Sequence, residues 1–388
     1  MLFYLTVAII FFGIDFANKF SSPAANRILN YISLSIFVLI AGTRYETGYD
    51  WAAYTLVYEN APTIQDILFE NQDWFSFSQM EPMYLLLNIL LKTFCNNVTL
   101  LFLTSALFNG FVIHKVSQKF KVNSSFVFAV CFCTIYLTGQ MTLLRQSLAS
   151  SFILLALLWL YLGGRVNIYK SYFYLILAAG VQVSSMLFMP FLVALKFKPN
   201  LKFTLFVIVL GVLSTIFIDN LIVLFLSSLL AFTTGNIYVK LLEYIQIGSF
   251  TSSTASWLYL IINLFILKSI FNVGRIKNWL IEYKIYFYGT FFMVLMLTFL
   301  SNQPIFWNRI QLVIVPIQAI YLYKYISSLK HEFNYILSVI IYFICFVILL
   351  YSLQKENMIP FIPYQSVIEH IFSNGRGDGA YRLESTIE

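Results

Sequence analysis

The sequence predicts an all-α, polytopic integral membrane protein. It has about twelve transmembrane helices (about eleven to fourteen), re-entrant or interfacial helices, and one outer-face loop at 44–81. Three observations carry this. Of 388 residues, 60% are hydrophobic and only 11% charged, against about 25% charged in a soluble domain, and mean hydropathy is +0.80. Apolar runs of roughly fifteen to twenty residues recur along the whole chain, each near the length that crosses a hydrocarbon core as a helix. They do not alternate polar with apolar, which excludes a transmembrane β-barrel. Lys and Arg fall in short clusters between the runs, the pattern of cytoplasmic loops. The net charge of +7 is therefore a membrane signature, and no nucleic-acid partner is expected.

Taken in order, the first run, Leu2 to Phe12, has no basic residue before it and no small-residue cleavage site, so it reads as a span and not a signal peptide. Basic clusters at Lys19/Arg27, Lys115/Lys119/Lys121, Arg165/Lys170, Lys196/Lys198/Lys202, Arg275/Lys277/Lys284 and Lys324/Lys330 fix the inside. Spans at 2–18, 28–43, 98–114, 124–140, 143–162, 171–183, 185–196, 203–218, 254–273, 285–301, 309–326 and 334–353 connect them, with both termini outward. Pro82 to Phe94 and Leu221 to Phe232 break the alternation and read as re-entrant or interfacial helices. The stretch 171–196 is tight for two crossings and breaks at Val183-Ser184-Ser185. Residues 1–353 form a single transmembrane domain, 354–373 an outer-face tail segment, and 374–388 a polar, Gly-rich, disordered tail whose Arg376-Gly377-Asp378 is chance. Short amphipathic helices are expected at 49–60, at 64–75, where Thr63 and Asp66 mark a helix start, and at 238–244.

Cys95, Cys131, Cys133 and Cys345 lie in or beside apolar runs without a CxxC, so neither disulfide nor metal site is read. His114 and His331 sit beside lysines and read as solvated helix-end residues. The chain holds no Ser/His/Asp set, HExxH, Walker loop or GxGxxG, which disfavours nucleotide use and a cytoplasmic catalytic domain. No cofactor is expected.

Charge distribution points to the candidate chemistry. From Tyr45 to Glu81 there are seven acids and no Lys or Arg, and from Pro82 to Ile218 there is no acid at all. Glu59, Asp66, Glu70 and Asp73 read as a wet surface. Asp50 differs: it follows Gly48, stands six residues from Arg44, and lies among Tyr45, Tyr49, Trp51 and Tyr54, an aromatic setting beside a cation. Glu81 precedes Pro82 at a helix start, where a dipole partner and a functional carboxylate weigh evenly. Arg44, Arg145 and Arg309 stand at outer ends of spans, against the positive-inside bias. Arg145 and Arg309 open helices, where guanidinium groups and helix N-termini together suit a diphosphate.

Several pieces in chain order resemble the EpsG/Wzy family of bacterial polysaccharide polymerases. They are Arg44-x-x-x-Gly48-x-Asp50-x-x-x-Tyr54, the helix-opening Glu81, Arg145-Gln146-x-Leu148-Ala149, the Ser184-to-Pro190 break, the Arg309 helix and Ile362-Pro363-Tyr364. The family often carries a histidine where this chain has Gln182, and a neutral amide is no general base, so a base would come from Asp50 or Glu81. The resemblance implies polymerisation of undecaprenyl-pyrophosphate-linked repeat units at the outer face of the bacterial inner membrane. An acceptor hydroxyl attacks the anomeric carbon and the lipid diphosphate leaves, with no metal required. It implies Asp50, Glu81 and Arg145 as catalytic residues, and Arg44, Tyr54, Gln146, Gln182, Ser185, Arg309 and Tyr244 as substrate-binding. The partners implied are lipid-linked glycans and the bilayer, with a polysaccharide chain-length regulator as a further candidate. An O-antigen ligase-type transferase shares the donor chemistry. A lipid-linked oligosaccharide flippase should instead carry charges along a central path, where Asp15 is the only acid in an early span.

Overall fold

The computed structural model describes residues 1–70, 78, 80–217, 254–300, 304–373, 377–379 and 382. Tyr244, with the helix expected around it and the stretch Leu221 to Phe232, lies outside the described residues. Those described fold as helices: α1 (Leu2–Asn18), α2 (Pro23–Gly42), α3 (Trp51–Asn60), α4 (Ile64–Phe69), α5 (Pro82–Phe94), α6 (Thr99–Lys119), α7 (Ser124–Thr134), α8 (Tyr136–Gln140), α9 (Leu144–Leu162), α10 (Arg165–Val181), α11 (Met189–Ala194), α12 (Leu201–Phe217), α13 (Thr254–Ile276), α14 (Ile281–Phe299), α15 (Pro304–Ser327), α16 (His331–Leu353) and α17 (Val367–Ser373). Among the described residues there is no β-strand, and one isolated bridge joins Arg44 to Ser366. Six of the described helices are long and apolar enough to cross a membrane, and five apolar helices are shorter. Their outer faces carry exposed Ile, Leu and Phe, such as Ile28, Leu39, Phe265 and Phe343. In a bilayer such faces meet lipid, so this is a multi-pass membrane protein.

Contacts divide the chain into two compact units: Met1–Met186 with Ala319–Glu388, and Leu187–Gln318. In the first, α7 is the hub. Every residue from Ser124 to Cys133 is buried, against α1, α2, α6 and α16. Only apolar or small side chains suit such a helix, and SSFVFAVCFCT supplies them. Paired polar groups bind the bundle at several points, since a low-dielectric interior favours satisfied donors and acceptors. Asp15 accepts from the hydroxyls of Ser125, at 2.9 Å, and Tyr342, while Asn18 donates to Ser125 at 2.7 Å. That triangle ties α1, α7 and α16. His114 corrects its expectation: it is 3% exposed and lies 2.8 Å from both Ser124 Oγ and Gln118 Nε2. Its lysine neighbours misled because they point elsewhere on the same helix.

Two predicted spans are interrupted. The run 124–140 leaves helical geometry at Ile135, just after Thr134 turns its hydroxyl back to Val130 O at 2.7 Å, a local bond that bends helices. The stretch expected as a span over 185–196 is a 3₁₀ turn, Val183–Phe188, leading into the six residues of α11. At roughly 1.5–2 Å per residue these twelve reach about 20 Å, short of a core about 30 Å thick. The helix start at Thr63 holds as expected, with a complete capping box to Asp66.

The second unit packs α11, α12 and α13 around α14. Helices α13 and α14 are joined by a short turn, with α12 alongside. Gln318 Nε2 on α15 donates to Asn263 Oδ1 at 2.6 Å and Thr290 Oγ1 at 3.2 Å, fastening α15 to α13 and α14.

Candidate active site

The site is assembled in the first unit, starting where α2 ends. Gly42 packs against α6 so closely that a Cβ there would lie 2.9 Å from the Leu103 backbone. The chain then runs beside the C-terminal segment: Tyr45 N donates to Gln365 O at 3.0 Å and Val367 N to Thr43 O at 2.8 Å. Gly48 adopts φ +102°, and a Cβ would fall 2.3 Å from Met141 O. Both the dihedral and the close approach demand glycine, which accounts physically for the Gly in the Arg-x-x-x-Gly-x-Asp spacing. The turn delivers Asp50 as the N-cap of α3 and sets Tyr54, 3% exposed, one turn inside it.

Arg44 is 1% exposed. Its Nη1 donates to Gln140 O at 2.5 Å and its guanidinium lies 4.4 Å from the centre of the Phe102 ring. Its Nε and Nη2 meet no hydrogen-bond partner among the described residues. Burial pushes the guanidinium down to about 10, offset by Tyr54, Tyr136 and Asp50, so it remains a cation at neutral pH. The carbonyl that receives it is held in place by a polar cluster. Gln140 Nε2 donates to Ser147 Oγ at 2.9 Å, Asn109 Nδ2 donates to Gln140 Oε1 at 3.1 Å and to Ser147 Oγ at 2.9 Å, and Ser151 Oγ donates to Asn109 Oδ1 at 2.7 Å.

Arg145 stands in the first turn of α9 and pairs with Glu81: Nη1 to Oε2 is 2.5 Å, with side-chain exposures of 26% and 15%. Glu81 is the N-cap of α5, yet its side chain does not cap that helix. Its other oxygen, Oε1, accepts from Val183 N at 3.2 Å. Glu81 thus joins α5, α9 and the start of the 3₁₀ turn. Tyr84, one turn on, stacks edge-on to Tyr54 at 5.9 Å, and Arg145 lies 5.9 Å from its ring centre. The Tyr84 hydroxyl and Arg145 Nε are buried without a hydrogen-bond partner among the described residues. Tyr54 sits between the charges: burial first, then Asp50, pushes its hydroxyl up to about 12, and Arg145 pulls the other way.

Arg44, Asp50, Tyr54, Glu81 and Arg145 are thus gathered from three separate stretches of sequence. Gln146, 3% exposed, accepts from Ser184 Oγ at 2.7 Å. Ser185, the residue singled out from sequence, is buried, and its Oγ has no partner among the described residues. Gln182 closes α10 as its C-cap and is half-buried. Arg309 belongs to the second unit, in the second turn of α15, half-buried beside buried Ile310. The residues that sequence reasoning missed are Tyr84, Asn109, Gln140, Ser147, Ser151 and Ser184. Their signal is faint: a Tyr three residues past Glu81, and amides inside apolar runs, where a polar residue needs a partner. Among the described residues no three His, Cys, Asp or Glu side chains gather as metal ligands.

Of the tail, residues 377–379 and 382 are described. Arg382 is 6% exposed and donates to Glu46 O at 3.0 Å, Gln365 Oε1 at 3.0 Å and Pro363 O at 2.9 Å. Gly379 N donates to Glu46 Oε2 at 2.9 Å.

A model of the EpsG family matches residues 27–366, a stretch that contains every described residue of this cluster. No curated protein and no solved structure matches the chain.

Proposed function

The chain belongs to the EpsG family, a polysaccharide polymerase-type family, and from that premise we propose that it joins lipid-diphosphate-linked oligosaccharide repeat units into a long surface polysaccharide. The donor is a glycan on undecaprenyl diphosphate, the acceptor is a hydroxyl of a second lipid-linked unit, and the reaction takes place at the outer face of the bacterial inner membrane. The acceptor oxygen bonds to the donor's anomeric carbon, the bond from that carbon to the diphosphate oxygen breaks, and its electron pair leaves with the diphosphate. The acceptor's proton passes to a carboxylate.

One observation carries this reading. Arg145 is held by Glu81 against two tyrosines while keeping an unpaired, buried Nε, a cation fixed in place with donor capacity unused. Growing charge on a leaving diphosphate is what such a group stabilises, and removing a preorganised donor of this kind costs about 10²–10³ in rate. Arg44, at 1% exposure, is locked to Gln140 and acts at one remove, through the local field and the turn that places Asp50. Glu81 has both oxygens engaged, so it positions Arg145. We assign the proton acceptor to Asp50, the acid of the Arg44-to-Tyr54 motif, whose charge acts on both Arg44 and Tyr54. Tyr54, Gln146, Gln182 and Ser185 stand on the glycan side of this reading.

The test is the purified protein in nanodiscs with lipid-linked repeat units. A ladder of longer lipid-linked glycans supports the reading. Transfer to an unrelated acceptor without a ladder points to a ligase, and movement between leaflets without new bonds refutes polymerisation.

A further inference from the structure

A second site lies within the second unit. Among α11, the first turn of α12 and the second to fourth turns of α14 is a cleft of about 490 Å³, a size typical of small-molecule pockets. Its walls are aromatic and aliphatic, chiefly Phe191, Phe203, Phe287, Phe291, Phe292 and Leu295. At one end of the cleft the lining changes character to Lys198, Pro199 and Asn200.

That end is strongly basic. Helices α12 and α14 run parallel: Thr204 near the start of α12 and Phe287 in the second turn of α14 both line the cleft, while Gly211 approaches Thr298 further along both helices. Both helices therefore turn their N-termini, the positive ends of their dipoles, toward Lys198. Lys196, Lys198 and Lys202 lie in or beside the turn between α11 and α12, Lys284 in the first turn of α14, and Arg275 and Lys277 at the turn from α13 to α14. Lys284 Nζ bonds Leu195 O at 3.2 Å, which pins the α11 end to α14, while Lys198 and Lys202 are exposed. Glu282 is the one acid in these turns and first helical turns among the described residues, and it accepts from the Tyr286 hydroxyl at 2.7 Å.

Positive-inside bias alone explains lysines at a cytoplasmic end, and helix packing alone explains an apolar cleft. Their conjunction describes a ligand with an apolar chain and an anionic head. We propose that the cleft binds an acidic glycerophospholipid of the cytoplasmic leaflet, with an acyl chain between α12 and α14 and the phosphate against Lys198 and Lys202. Charge complementarity selects this occupant over a zwitterionic lipid, because basic pockets between transmembrane helices on the cytoplasmic side recruit acidic headgroups. The assignment is independent of the polymerisation reaction.

The experiment is lipid retention by the full-length protein, purified from nanodiscs containing equal phosphatidylglycerol and phosphatidylethanolamine and read by native mass spectrometry. Wild type is expected to retain phosphatidylglycerol selectively. The double variant Lys198→Glu/Lys202→Glu should lose it by about tenfold or more, and Ala194→Phe, which fills the apolar cleft but leaves the lysines, should lose it too. Equal retention of the two lipids by wild type, unchanged phosphatidylglycerol in both variants, or a polyprenyl diphosphate in its place would each overturn the proposal. Circular dichroism and gel filtration of each variant separate loss of lipid from loss of fold.

Discussion

Replacing Glu81 with Gln separates a positioning carboxylate from a catalytic one. In the protein Glu81 Oε2 meets Arg145 Nη1 at 2.5 Å and Oε1 accepts from Val183 N at 3.2 Å. Gln keeps one acceptor oxygen and loses the charge. A hydrogen bond to a charged group contributes about 1.5–3 kcal/mol, and with the two side chains 26% and 15% exposed solvent screening puts the loss near the low end. At 1.36 kcal/mol per decade this is roughly a tenfold fall in rate. Because the proton acceptor stands elsewhere, the acid limb of the pH–rate profile should persist in Glu81→Gln. Asp50→Asn should lose about 10²–10⁴ in rate together with that limb, since a base that never ionises cannot titrate. The assay is the initial rate of repeat-unit consumption in nanodiscs from acid to alkaline pH, with each variant's fold checked by its melting temperature. If Glu81→Gln abolishes the acid limb while Asp50→Asn keeps it, the assignment is reversed and Glu81 is the base despite its two bonds.

Arg145→Lys keeps a charge but not the guanidinium fork, and should reduce ladder formation by about 10²–10³ while leaving the melting temperature nearly unchanged; full activity would remove Arg145 from the diphosphate site. Gly48→Ala forces a Cβ to within 2.3 Å of Met141 O at φ +102° and should cost about 1–3 kcal/mol of stability, seen as a lower melting temperature in detergent. Deleting the chain after Ser373 removes Arg382 and its bonds to Glu46, Gln365 and Pro363. Limited proteolysis should then cut faster between Tyr45 and Asp50 than in the intact chain, and equal rates would show the tail to be an idle passenger.

What the sequence made legible follows from which forces leave a local trace. Helix class and most helix positions are written in hydropathy, because a bilayer forces each segment to satisfy its own backbone. Thr63 and Asp66 announce a capping box within four residues, and it forms. The break read at Val183-Ser184-Ser185 falls on the 3₁₀ turn Val183–Phe188, whereas the break at Ile135 was not legible, since apolar runs look alike whether or not they stay helical.

The site divides along the same line. Arg44, Asp50, Tyr54, Glu81 and Arg145 stood out because charge is scarce in this chain, so each charge at membrane depth must be compensated or used. What charge counting does not contain is pairing. Nothing local says that Glu81 turns away from its own helix to hold Arg145 and the Val183 amide, or that Gln140 offers Arg44 a carbonyl while its side chain is gripped by Asn109 and Ser147. Yet pairing decides the roles. Two arginines equal on paper become unequal once one is 1% exposed and the other 26%, and Glu81 becomes a positioning group once both its oxygens are engaged. Chemistry at this site is therefore set less by which charged residues the chain carries than by how the fold places and pairs each of them.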